Sequence, residues 1–166
     1  MAHFFGVSAV VLFLLSFQFK TRKNIIITNL ISRVLYILQY ICLGALDGAI
    51  LDFMGFVMSF FARYKEKDFI ASHFKFIIII VNLLLLISGI FMYRNIFSLF
   101  AIFGIILEIT ALWLTKEKNI RILSLISAPG WLIYNIANQA YGSVIGNVLT
   151  IISILIAMYR LDLNNS

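Results

Sequence analysis

The chain has 166 residues, of which 63% are apolar and 12% charged. Soluble domains contain roughly 45–50% apolar and about 25% charged residues, so this composition excludes a soluble enzyme and indicates a membrane protein. The net charge of +6 comes from short clusters of Lys and Arg between apolar runs. Such clusters set membrane topology, and they argue against nucleic-acid binding.

Seven apolar runs predict seven transmembrane helices, each near the length of about 20 residues that a bilayer requires. No basic residue precedes the first run, so we interpret it as a retained helix and not as a cleaved signal peptide. The predicted spans are 4–19, 25–43, 47–63, 76–92, 96–114, 120–138 and 141–159.

The basic residues fall very unevenly on the two sides of these spans. Eleven of the 13 lie on one side, whereas the other side receives only Arg94, and Arg33 lies within a span. Because cytoplasmic loops carry the excess of Lys and Arg, we predict an outside N-terminus and a cytoplasmic C-terminus. The eleven are Lys20, Arg22, Lys23, Arg63, Lys65, Lys67, Lys75, Lys116, Lys118, Arg121 and Arg160.

An internal repeat relates the two ends of the chain. An offset of 95 residues, which carries Lys23 onto Lys118, aligns residues 4–65 with 99–160 without a gap. In the best block, 23–32 against 118–127, seven of ten positions are identical. The offset predicts two three-helix units in the same orientation, joined by the fourth span, as in parallel repeats related by an axis along the membrane normal.

Short motifs carry a resemblance to a known group of membrane proteins. Phe17-Gln18 followed by a basic loop, 20–24, looks like a Pro-Gln signature with its proline replaced. The stretch 127–132, which contains Pro129, opens a helix that runs to Tyr141-Gly142, and Asn147 lies just beyond. This order resembles the one found in SWEET sugar transporters. The chain therefore resembles the SWEET and PQ-loop superfamily, and in size it is most similar to the bacterial inner-membrane YgjV-type proteins.

The resemblance implies a fold and a function. The fold is all-α, integral to the membrane and arranged as 3+1+3, with a first three-helix unit over 1–65, a linker with the fourth span over 66–95 and a second unit over 96–166. The function implied is transport of a small polar solute through a cavity between the two units. A receptor that binds cargo without transporting it is the alternative, because the KDEL receptors share this architecture.

Two ionisable residues are expected inside the membrane, where each costs about 2.5–3.5 kcal/mol on insertion scales. Arg33 and Glu108 lie at similar depths, roughly 10–13 Å from the predicted cytoplasmic ends of their spans. They could therefore pair. The pair would act either as a gate or as a static link between two helices, since burial alone does not distinguish the two.

Polar residues in the second, third, sixth and seventh spans are the candidates for solute binding. Asp52 and Asn147 occupy equivalent repeat positions, and the resemblance implies that both contact the solute across the axis of the repeat. For Asp52, a helix N-cap is the alternative. The sixth span carries a polar face that the second span matches, which favours a hydrated cavity over simple interhelical hydrogen bonds. These further candidates are Trp131, Asn135, Asn138, Tyr36 and Gln39.

Other chemistries find no support in the sequence. His3 and His73 lie far from any acidic cluster, and the single Cys42 sits in an apolar run, so we predict neither a metal site nor a cofactor. Motifs of hydrolases and nucleotide-binding enzymes do not occur, and we expect no enzymatic activity. The expected partners are the lipid bilayer and the small solute, and assembly into a homo-oligomer is compatible with the sequence.

Overall fold

A computed structural model of the chain describes residues 1–44, 46–91, 96–137 and 141–163. Within those ranges the structure contains seven α-helices and one π-helical turn and no β-strand, which confirms the predicted all-α class. The helices are α1 (Ala2–Ser16), α2 (Arg22–Leu43), α3 (Leu46–Arg63), α4 (Asp68–Phe91), α5 (Ser98–Leu112), α6 (Glu117–Ala137) and α7 (Tyr141–Met158), and the π-turn covers Tyr159–Leu163.

Four segments are long and apolar enough to cross a membrane, judged on the described residues. They lie in α2, α4 and α6 and in the stretch Val144–Asp162, which joins α7 to the π-turn. Two further apolar helices, α1 and α5, have 15 residues each. An integral membrane protein is therefore supported, whereas the seven-span count and the orientation of the termini stay predictions.

Two helix boundaries differ clearly from those expected from hydropathy. Helix α4 begins at Asp68 and not at residue 76, because an acidic residue in the first turn stabilises a helix start that lies outside the apolar run. Helix α1 ends at Ser16 and not at residue 19, since residues 17–21 form turns that lead into α2. Hydropathy locates the apolar part of a helix, and the helix itself can be longer or shorter.

The first compact unit, Met1–Tyr64, contains α1, α2 and α3, with α2 packed against both of the others. Buried side chains such as Ile25, Ile26 and Met58 form its apolar core. The Oγ of Ser32 donates a 2.8 Å hydrogen bond to the carbonyl of Ala9, which ties α2 to α1.

Another side-chain contact joins the start of α2 to the end of α3. The Arg22 guanidinium donates a 2.6 Å hydrogen bond from Nη2 to the carbonyl of Ala62 in the last turn of α3. The last carbonyls of a helix have no partner within the helix, so Arg22 satisfies one of them.

The second compact unit, Lys65–Ser166, contains α4 to α7 and the π-turn. Helix α6 packs against α5 and α7, while α4 packs along α5 and leaves most of its apolar side chains exposed. Helices α5 and α6 approach closely at Gly130, where an added Cβ would lie 2.6 Å from the carbonyl oxygen of Phe100. The Nζ of Lys65 donates a 2.8 Å hydrogen bond to the carbonyl of Trp113 after the end of α5.

Candidate functional site

The first unit holds a charged cluster between α2 and α3, centred on Arg33. The Arg33 side chain is 5% exposed, and its Nη1 lies 3.2 Å from Oδ1 of Asp52, whose side chain is 19% exposed. The Nε of Arg33 donates a 3.0 Å hydrogen bond to Oδ1 of Asn29, one turn earlier on α2. A buried guanidinium requires an anionic partner and acceptors for its N–H groups, and this cluster provides both.

Two small residues of α3 make room for this cluster. A Cβ added at Gly55 would overlap the Arg33 guanidinium, so glycine at this position is what allows the side chain to lie across α3. Ser59 follows one turn later, and its Oγ donates to the carbonyl of Gly55 at 2.8 Å and lies 3.5 Å from Oδ1 of Asn29. The cluster is therefore a specific packing arrangement and not a flexible surface pair.

The second unit holds an uncharged pair between α6 and α7. The Nδ2 of Asn135 donates a 2.7 Å hydrogen bond to Oδ1 of Asn147. Both residues are half-buried. Each carboxamide has a donor end and an acceptor end, so the Oδ1 of Asn135 and the Nδ2 of Asn147 remain to bind a further group.

The two polar sites involve one equivalent position of the repeat. The 95-residue offset carries Asp52 onto Asn147, and both residues contact the preceding helix of their own unit. Their partners are not equivalent, because the offset carries Arg33 onto Ala128 and Tyr40 onto Asn135. One unit therefore fills this position with a charged pair and the other with a neutral pair.

Asp52 lies within α3 and not at its first residue, so the N-cap alternative is wrong.

The other predicted solute-binding residues are placed as follows. Trp131 packs its indole against Gly104 of α5, and its Nε1 is buried with no hydrogen-bond partner among the described residues. Gln39 packs against Gly6 of α1, and Tyr36 is half-buried on α2. Asn138 lies outside the described residues. Participation of these side chains in a solute site stays a prediction.

The predicted pairing of Arg33 with Glu108 stays a prediction too. The structure gives Arg33 the partners Asp52 and Asn29 within its own unit. Glu108 is half-buried on α5, in the second unit. The structure shows that Arg33 is buried in the protein, and the depth argument did not consider the carboxylate on the adjacent helix.

One ion pair was missed entirely by the sequence analysis. Arg121 is almost fully buried near the start of α6, and its Nη1 contacts Oδ1 of Asp162 in the π-turn that follows α7. We had assigned Arg121 only to the cytoplasmic charge cluster. Its placement between Ile120 and Ile122 was the available signal, because a cation in an apolar segment requires a partner.

The described residues include no group of three or more His, Cys, Asp or Glu side chains that could hold a metal ion.

Comparison with known proteins identifies the family of the chain. The model of a family of bacterial inner membrane proteins, Imp-YgjV, matches residues 1–165. The chain belongs to the Imp-YgjV family. No curated protein and no solved structure matches the chain.

Membership in the Imp-YgjV family confirms the predicted YgjV-type resemblance and the inner-membrane location. An inner-membrane location also constrains polar side chains in transmembrane segments. A polar group within the hydrocarbon core has no water to bind, so it pairs within the protein or lines a hydrated space. The Arg33 cluster and the two asparagines of this Imp-YgjV protein satisfy that requirement in different ways. The relation to the SWEET and PQ-loop superfamily stays a prediction.

Proposed function

We propose that this Imp-YgjV protein transports a small polar solute across the inner membrane. In this proposal the three helices before α4 and the three after it form a 3+1+3 arrangement, with the N-terminus outside and the C-terminus cytoplasmic. The solute crosses through a cavity between the two three-helix bundles, and the protein has no enzymatic activity. The observation that carries the proposal is the pair of polar contacts at one repeat position, Arg33–Asp52 and Asn135–Asn147.

The energetics of these contacts support a functional role. Interhelical hydrogen bonds in membrane proteins contribute only about 0.6 kcal/mol on average, so stability alone does not account for the Asn135–Asn147 contact. Intramembrane ionisable residues, in contrast, are costly and commonly mark solute or proton pathways. Asp52 is ionisable, and Asn147 is the uncharged residue at the equivalent position of the repeat.

The chemistry of the pairs favours a particular kind of solute. The Asn135–Asn147 pair offers one acceptor and one donor, which fits a hydroxyl or carboxamide group. The Arg33–Asp52 pair has no net charge while both groups are ionised. Neither pair therefore selects for a strongly charged solute, and we expect an uncharged or zwitterionic one.

Counterflow into liposomes tests the proposal. The purified full-length protein is reconstituted and supplied with labelled sugars, amino acids, nucleosides and vitamins in turn. Transport predicts accumulation of at least one compound, and Asn147→Ala should slow it by tenfold or more. The matched control is Asn119→Ala, because Asn119 is exposed at the start of α6 and outside the polar pair.

The same assay distinguishes the receptor alternative. A receptor would bind one of these compounds saturably, while no labelled compound accumulated in the liposomes. Equal loss of flux in the Asn119 and Asn147 variants would also contradict the proposed site, because only Asn147 belongs to the polar contact.

A further inference from the structure

An apolar groove lies on the surface of the second unit, between α5 and α6. Its volume is about 430 Å³. Pro129 and Gly130 form its floor, where the backbones of the two helices approach closely. Phe100, Phe103 and Ile133 are among its walls, and all three are substantially exposed. The described residues that line this groove are all apolar, which suits a hydrocarbon group.

The exposed face of α6 that contains this groove also carries a cation. Lys118, Ile122, Ile126, Pro129 and Ile133 follow the spacing of one helix face, and all five are exposed. Lys118 lies in the first turn of α6, and the floor at Pro129 lies about 16 Å further along the helix. Ile126 is the α6 residue of the groove nearest to Lys118, and it lies eight residues, or about 12 Å, along the helix. One leaflet of the hydrocarbon core is about 15 Å thick, so a chain that starts beside Lys118 reaches the near end of the groove.

We propose that this groove binds an acyl chain of an anionic phospholipid whose phosphate contacts Lys118. The positive charge at one end and the purely apolar lining at the other match the two parts of such a lipid. The proposal is independent of transport, because a lipid site on α5 and α6 requires no solute pathway.

The first unit supplies a natural control. The repeat offset carries Lys23 onto Lys118, and Lys23 is likewise exposed in the first turn of its helix. However, Val34 and Leu35 stand where the groove has Pro129 and Gly130. The first unit thus has the equivalent cation without the glycine that forms the floor.

Native mass spectrometry of the full-length protein tests the lipid site. The protein in detergent is mixed with equal amounts of dioleoylphosphatidylglycerol and dioleoylphosphatidylcholine. We expect about fivefold more bound phosphatidylglycerol, the preference that one nearby lysine provides. Lys118→Gln should abolish this preference, whereas Lys23→Gln should leave it unchanged. Ile126→Phe, which fills the groove from an exposed position, should lower the binding of both lipids.

Three results would overturn the proposal. Equal effects of the Lys23 and Lys118 substitutions would show that the lipid responds only to general surface charge. Unchanged lipid binding in Ile126→Phe would show that the groove is not the site. A lipid-free dimer that is lost in Ile126→Phe would show that a second copy of the chain covers this face.

Discussion

The two ends of the chain place a polar contact at the same repeat position and build it from different chemistry. In the first unit Asp52 meets a buried arginine, whereas in the second unit Asn147 meets an asparagine. Breaking a buried charged pair lowers stability strongly, because removal of one partner leaves an uncompensated charge. Loss of a neutral pair lowers stability only slightly. The first contact should therefore contribute more to stability than the second.

The largest effect is expected from Arg33→Leu. Removing the guanidinium leaves the Asp52 carboxylate without its cation, so the free energy of unfolding should fall by about 3–5 kcal/mol. Adding Asp52→Asn makes this position as neutral as the one in the second unit. The double variant should then be more stable than Arg33→Leu alone in unfolding titrations in mixed micelles.

Additive losses in that double variant would contradict a direct pair, because residues that interact show coupling energies of 0.5–3 kcal/mol. The same cycle with Glu108→Gln in place of Asp52→Asn measures the predicted pairing of Arg33 with Glu108. Coupling with both acids would identify a network of three groups.

A second comparison concerns two arginines near helix starts. Arg22 links the start of α2 to the end of α3, and Arg121 links the start of α6 to the turn after α7. Arg121→Leu should cost about 3–5 kcal/mol, since it leaves the buried Asp162 carboxylate unpaired. Arg22→Leu removes a charged hydrogen bond to a carbonyl, and we expect a loss of about 1.5 kcal/mol. Equal losses in the same micelle titrations would show that Asp162 is compensated by another group.

Helix packing gives the next effect in size. Gly130→Ala would force a methyl group against the Phe100 carbonyl, and overpacking of this kind costs about 1–3 kcal/mol. Gly146→Ala is the control, because an added Cβ there meets nothing within 4 Å and alanine is the better helix former by about 1 kcal/mol. Melting temperatures of the two variants should therefore shift in opposite directions.

The smallest effect on stability is expected at the neutral pair. Asn147→Ala should lower the free energy of unfolding by about 0.6 kcal/mol. Asp52→Ala, at the equivalent position, leaves the buried Arg33 without its anion and should cost several times more. Similar losses at the two positions would show that the charged and neutral contacts do not differ as described.

Much of the fold could be predicted from the apolar runs. The described helices lie close to the predicted spans, because the 20-residue apolar requirement is strong in a bilayer. The start of α4 at Asp68 was missed, since hydropathy does not register the polar turns that extend a helix into water. The short α1 was missed for the opposite reason, because Phe17 and Phe19 are apolar and yet lie in the turn region.

The sites were less predictable than the fold. The sequence repeat predicts Asp52 and Asn147 as equivalent positions, and the structure shows that both make a polar contact with the preceding helix. The sequence does not show which residues contact them, because a long side chain can contact several neighbours. The Arg33 side chain is long enough to contact a carboxylate on the neighbouring helix. Asn29, one turn before Arg33, was recognisable as a local acceptor but was not considered.

The short helices α1 and α5, which occupy equivalent positions in the sequence repeat, have a consequence for the surrounding bilayer. With 15 residues, α1 and α5 extend about 22 Å, whereas the 22 residues of α2 extend about 33 Å. The hydrocarbon core is about 30 Å thick, so neither short helix fills it along the membrane normal. Local thinning of the lipid beside these helices accommodates such a hydrophobic mismatch, at a cost of a fraction of a kcal/mol per Å. The protein should therefore be more stable in bilayers with short acyl chains than in thick ones.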